Sequence, residues 1–225
     1  MGETTSRILL FALVAGVSPI AIVATLAVLT SRRGRTNGIV FVAGFMLGQT
    51  AAFLAAYLVG SAATTDREEN VQLAAALELA FGAALLAVAW PQRRHGRVEA
   101  AGVPSRTKAL LGRLRGLRPS TAFSVGVLLG VGGVKRLSVT IVAGATVGIA
   151  ALVPAEEVAL ALLYLLVGGV LVWLPVGVHV VAGGRADVWM AAAEDWLTAN
   201  ERRLGFLSTV IFGLLFTSDA LYRLL

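Results

Sequence analysis

The chain has no cysteine. That excludes disulfides, thiolate metal sites and thiol redox relays. Charge is scarce as well: 14% of the 225 residues are charged, against about a quarter in a soluble globular domain. Only two cations are lysines, Lys108 and Lys135; the rest are arginines. There are two histidines, and His179, alone near the end of an apolar run, reads as a packed or interfacial side chain rather than a proton relay. No glycine-rich nucleotide loop, metal-ligand cluster or nucleophile–base pair stands out. The expectation is a protein that is not an enzyme and uses no cofactor or metal. Any uphill work must then draw on an ion gradient or a partner.

What is abundant is apolar sequence. Hydrophobic residues make up 57% of the chain and the mean hydropathy is +0.83, so we expect an all-α polytopic membrane protein. Six runs are long enough to span a bilayer core of about 30 Å: residues 8–30, 39–60, 73–90, 121–153, 158–181 and 205–222. The first has one cation before it, is too long for a signal h-region and is followed by cations, which argues against a cleaved signal peptide. Residues 31–38 are read as a basic loop with Arg32, Arg33 and Arg35, and 154–157 as a short acidic turn. The net charge of +6 sits mostly in loops and speaks to topology rather than to nucleic acid. Loops one and three are basic while two and four are acidic, which by the positive-inside rule puts the basic loops in the cytoplasm and both termini outside.

The stretch 91–120 holds eight cations and one acid. Its RTKALLGRLRGL segment (106–117) sets four leucines on one helical face, as a basic helix on the membrane surface would. Arg93, Arg94, Arg106, Lys108, Arg113 and Arg115 are candidates to hold anionic headgroups; a loop that only sets topology is the plainer alternative. Residues 185–203 resemble a second interfacial helix, with Trp189 and Trp196 as anchors.

Two spans look interrupted. Residues 121–153, as one helix, would measure about 50 Å at 1.5 Å per residue, so the run must tilt, protrude or break. The motif GVGGVKR (130–136) offers the break at Gly132-Gly133, with two cations directly after it. In the first span Ser18-Pro19 plays the same part, because proline removes a backbone donor. The spans divide into units 1–90 and 121–225, joined by the basic stretch 91–120. An odd-numbered repeat must reverse its direction, so the halves are expected to be inverted three-helix repeats, each opening with an interrupted span. Such paired interruptions point to a transport site; two unrelated packing kinks would leave the same pattern.

Charges at membrane depth are costly and suggest function by default. Lys135 falls about 20 Å above the cytoplasmic start of its span, and Glu78 about 8 Å below the outer start of its own. These depths nearly coincide, so Lys135 and Glu78 are expected to face each other as a substrate or coupling pair, or as a static structural one. Arg136, about 100° round the helix, is expected to line the same cavity, with Gln49 of the second span. The substrate or coupling set is thus Lys135, Glu78, Arg136, Gln49, Ser18, Pro19, Gly132 and Gly133. Gly44-x-x-x-Gly48 reads as close helix packing. Glycine faces of this kind are compatible with a homodimer and with internal packing alike.

The quoted stretches also carry a resemblance. LVAGVSPIAIVATLAVLTSRRGRTNGIVFVAGFMLGQ, FSVGVLLGVGGVKRLSVTIVAG and WLTANERRLGFLSTVIFGLLFTSDALYRL are together similar to the glycolipid-addressing proteins of the LysE-type exporter superfamily. Lys135 falls on the lysine of that family's Asn-Pro-Lys element, while Gly133 and Val134 stand where Asn and Pro would be. The resemblance implies a multi-pass plasma-membrane protein that helps move envelope glycolipids outward beside a larger lipid exporter, with membrane lipids, an anionic glycolipid or a lipid carrier as partner. Two other readings stay open: a proton-coupled exporter of small solutes such as amino acids or cations, and a non-transporting scaffold of a lipid-export complex.

Overall fold

The computed structural model describes residues 2–62 and 118–183, together with seven isolated positions between 192 and 214. All of the secondary structure among the described residues is helical. Six helices are described along their length: α1 (Gly2–Gly16), α2 (Pro19–Leu29), α3 (Gly34–Ala62), α4 (Pro119–Val131), α5 (Val134–Ile149) and α6 (Pro154–Ala182); the isolated positions are helical too.

Helices α3 and α6 are each long and apolar enough to cross a membrane unaided. The other four form two bent pairs. α1 and α2 meet at 59°, and α4 and α5 at 64°. Counting each bent pair as one span gives up to four spans among the described residues. Both breaks fall where the sequence places them. At the first, Pro19 opens α2 at the helical position where a missing N–H is best tolerated. At the second, Gly132 ends α4 with φ 87° and ψ 177°, a backbone region essentially reserved for glycine. Gly133 has an ordinary φ of −76°, so only one of the two glycines is demanded by conformation.

Two sequence boundaries need correction. The loop after the first bent pair ends at Arg33, because α3 already begins at Gly34. Residues 154–157 are the first turn of α6 and not a separate turn. Proline at the first helical position, with Glu156 and Glu157 behind it at the positive end of the helix dipole, is a favourable helix start. Glu157 also accepts a hydrogen bond from Tyr57 of α3 at 2.7 Å, tying the ends of the two long helices together.

The register of the packing follows from small residues. Cβ atoms built on Gly44 and Gly48 of α3 would lie 2.3 Å from the carbonyls of Phe123 and Val127. In return, Gly126 and Gly130 of α4 face the carbonyls of Phe41 and Phe45, and Gly144 and Gly148 of α5 face those of Phe53 and Tyr57. Residue numbers rise together along this seam, so α3 runs parallel to the bent pair α4–α5. α6 runs antiparallel to α3, since Tyr57 meets Glu157 at one end and Gly38 meets Val176 at the other. The two bent pairs run antiparallel to one another: α1 shares a core with α5, and α2 with α4.

These pairings make two large apolar cores among the described residues, with a small third one of Leu26, Leu29 and Val176. One joins Phe11, Val14, Phe53, Val139, Val147 and Leu160; the other joins Val23, Val28, Phe41, Phe45 and Val172. Between them, at the level of both breaks, lies a polar layer. Leucines and valines such as Leu54, Leu58, Leu162 and Leu166 point outward, as they must on a helix bundle whose solvent is lipid.

Candidate functional site

The polar layer is built around Arg136. Its side chain is 4% exposed, in a bundle of apolar helices where burying an isolated charge is strongly unfavourable. The sequence of α5 explains how it gets there. Arg136, Val139, Thr140, Ala143 and Val147 recur at spacings of three and four, and all five are buried, so Arg136 heads the stripe that α5 turns to its neighbours.

From that position the guanidinium reaches three other helices. Nη1 donates to the carbonyl of Ala15 in α1 at 3.0 Å. Nη2 donates to Gln49 Oε1 in α3 at 2.8 Å and to the Gly168 carbonyl in α6 at 3.0 Å. The Phe45 ring lies under the charge, with Cζ 4.4 Å from its centroid, a favourable cation–π placement. Among the described residues no carboxylate touches Arg136. Its charge is offset by peptide dipoles, one amide and an aromatic face.

The Ala15 contact has a specific cause. In an unbroken helix that carbonyl would accept the N–H four residues on, which is Pro19, and proline has none. Arg136 supplies the donor that Pro19 lacks. Lys135 reaches the same break two residues along: Nζ donates to the Val17 carbonyl at 3.2 Å. Two cations from the start of α5 therefore hold the carbonyl end of α1, where the helix dipole favours positive charge. The break in one bent pair is satisfied by the residues that follow the break in the other.

Around this centre the remaining polar groups are paired. Gln49 is fully buried and directs Nε2 to the Tyr164 carbonyl at 3.5 Å. Tyr164, also fully buried, shares a hydrogen bond with Thr140 at 2.7 Å and stacks on Phe53 with ring centroids 5.1 Å apart. Thr140 also donates to the Arg136 carbonyl at 2.8 Å. The arrangement holds charge and hydrogen-bonding capacity in the middle of an apolar bundle. Among the described residues no group of histidine and carboxylate side chains can hold a metal ion.

Of the residues singled out in the sequence, Lys135, Arg136, Gln49, Ser18, Pro19, Gly132 and Gly133 all fall in this layer or at its two breaks. Glu78 lies outside the described residues, as do Arg93, Arg94, Arg106, Lys108, Arg113 and Arg115 and most of the interfacial stretch 185–203, of which Ala192, Trp196, Asn200 and Arg203 are described and helical, with Trp196 exposed. The centre of gravity differs from the sequence reading: Arg136 is the buried hub, and Lys135 is its half-buried companion. Tyr164, Thr140, Phe45 and Gly168 were not anticipated. Thr140 had a signal, since it lies four residues after Arg136 on the same helix face.

No curated protein and no solved structure matches the chain. A family model does: the one described as Sap, sulfolipid-1-addressing protein, matches residues 8–222. That range takes in both bent pairs from Ile8 on, both long helices and every residue of the polar layer. Apolar helices arranged for lipid and a match that runs almost end to end agree: this chain is a membrane protein of the sulfolipid-1-addressing protein family.

Proposed function

We propose that the protein helps carry amphipathic envelope lipids across or out of the plasma membrane, as a carrier or as the accessory of a larger lipid exporter, without covalent chemistry of its own. The observation that carries this reading is the meeting of two helix breaks at a buried, cation-bearing layer, in a member of a family described as addressing a sulfolipid. Discontinuous spans that meet inside the bundle are the usual place for a transport site. The antiparallel bent pairs, each followed by one long helix, support a six-span architecture of two inverted three-helix repeats, of the kind expected in the LysE-type superfamily. In that architecture the basic stretch 91–120 lies in the cytoplasm and gathers anionic headgroups for the passage between the breaks.

The test compares surface-exposed with cell-associated lipids by mass spectrometry in a deletion strain. The strain is complemented with wild type, Lys135→Ala or Arg136→Gln, each checked for expression. One lipid class should leave the surface on deletion and return with wild type only. The scaffold reading draws support from the commitment of both Arg136 Nη atoms to protein acceptors; it predicts that any variant that folds restores the surface lipid. An unchanged lipid profile would turn attention to small-solute efflux.

A further inference from the structure

The seam between α3 and α4 sets what stands at the basic end of the bundle. Gly126 of α4 packs between Phe41 and Phe45 of α3, and Gly44 of α3 packs between Phe123 and Val127. About two turns back along each helix come Arg118 and Arg35, which this register brings level with one another. Arg32, Arg33, Arg35 and Arg118 are all exposed. Among the described residues none of the four side chains has a hydrogen-bond or ion-pair partner. The turn that carries Arg32 and Arg33 is held from beneath. Buried Ser31 donates to the Val28 carbonyl at 2.6 Å, buried Asn37 donates to Ser31 Oγ at 3.0 Å, and a Cβ on Gly34 would collide with the Leu29 carbonyl. The described carboxylates, Glu3, Glu156 and Glu157, belong to α1 and α6, whose first turns lie at the opposite end.

The outward face of α4 carries this surface on into the membrane. The buried residues of α4 are Ala122, Gly126 and Gly130, and the two glycines meet Phe41 and Phe45 of α3. At 100° per residue, Ser120, Thr121, Ser124 and Leu128 fall on the far side of the helix, and all four are exposed. Three hydroxyls there contrast with the outward faces of α3 and α6, where Leu47, Leu54, Leu162 and Leu166 are exposed. Ser124 Oγ donates to the Ser120 carbonyl at 3.2 Å, and its lone pairs still accept. Arg118 stands at one end of this strip. The exposed Gly133, with Lys135 half-buried just beyond it, stands at the other, about 20 Å along the axis.

We infer that Arg32, Arg33, Arg35 and Arg118, with the outward face of α4, form a docking surface for an anionic lipid. The guanidinium groups take the anionic headgroup, the α4 hydroxyls take its hydrogen-bonding groups, and the acyl chains lie in the bilayer against Leu128. Charge complementarity selects the headgroup, since no described carboxylate shares this end. The occupant is a lipid rather than a free anion because the surface continues past Leu128 into the core, where only a molecule with acyl chains can follow. This deepens the reading above and rests on it: it names the entrance to the lipid passage and the charge of the lipid that enters.

The test uses purified full-length protein in phosphatidylcholine nanodiscs. Because the chain has no cysteine, Leu128→Cys and Leu166→Cys each accept a single bimane label. Leu128 is exposed on α4 and Leu166 on α6. The two lie at similar depth, since Gly130 meets Phe45 while Gly169 meets Met46. The probes are phosphatidylglycerol and phosphatidylcholine, each with a nitroxide near the top of one acyl chain, added as a small share of the lipid. At residue 128 the nitroxide on phosphatidylglycerol should be enriched at least about fivefold over that on phosphatidylcholine, the scale of one arginine beside an anionic headgroup. At residue 166 the two should quench alike. Arg35→Glu combined with Arg118→Glu should abolish the preference and leave the unfolding temperature unchanged. Should that pair not fold, Arg32→Glu with Arg33→Glu makes the same reversal on the turn. The docking surface is overturned if both lipids quench alike at residue 128, if the preference is as strong at residue 166, or if a folded reversal variant keeps it. Loss of the preference to inorganic phosphate at matched ionic strength would assign a free anion and overturn it too. Export that continues in cells carrying a reversal pair, without the preference, removes this entrance and leaves the function proposed above. An unchanged lipid profile in the deletion strain, with the preference intact, does the reverse.

Discussion

At the scale of single residues, the bond from Arg136 to Ala15 makes a prediction that the proline controls. Arg136→Gln strands the Ala15 carbonyl and Gln49 Oε1, and removes a second bond from the Gly168 carbonyl; it should cost about 2–6 kcal/mol, at about 1–3 kcal/mol for each of the two stranded acceptors. Arg136→Lys should recover only part of this, because an ammonium cannot span the fork-like set of acceptors that the guanidinium serves. In a Pro19→Ala background the backbone N–H returns to Ala15, so the cost of Arg136→Gln should fall by about 1 kcal/mol, within the usual range for coupled sites. A double-mutant cycle measured by unfolding in nanodiscs checks this; strict additivity would show that the two residues act independently. The cations, the proline, the two breaks and Gln49 were legible in the sequence. Which cation enters the bundle was not. Lys135 and Arg136 are adjacent, and periodicity alone does not say which face of α5 meets α1 and α6. That choice is made by Gly132, whose positive φ aims the whole helix.

At the scale of elements, the glycines divide into those that hold helices together and those that do not. Gly126→Ala would put a methyl group 2.3 Å from the Phe41 carbonyl and should destabilise the protein by about 1–3 kcal/mol, as overpacking does. Gly177→Ala meets none of the described residues within 4 Å and should be neutral or stabilising by about 1 kcal/mol, the helix-propensity difference. Unfolding of the two variants side by side tests the seam between α3 and α4; equal effects would mean that the close approach is not needed. The Gly44-x-x-x-Gly48 motif announced a tight contact. Its partner stayed hidden, because apolar sequence does not encode which of several small-residue faces will meet. The boundaries that moved, at Gly34 and Pro154, moved for local reasons: polar first turns belong to helices that project past the apolar core.

At the scale of the molecule, the described helices set which ends lie together. Arg33 precedes α3 at one end of the bundle, while Val153, exposed before α6, lies at the end where Tyr57 bonds Glu157. Since the chain has no cysteine, Arg33→Cys and Val153→Cys are each unique labels. A membrane-impermeant maleimide on intact cells should label Val153→Cys and spare Arg33→Cys until the membrane is opened. Labelling of both on intact cells would contradict a membrane passage between them. The Arg136–Ala15 bond also has a meaning for biogenesis, because its two residues are 121 positions apart. A ribosome delivers the first bent span to the membrane long before it makes the arginine that completes it. Until then the Ala15 carbonyl stays unsatisfied in lipid, and the first half of the protein is a nascent guest awaiting its second half. Chains truncated after α3 should be rapidly degraded, and co-expression of the missing half should rescue them.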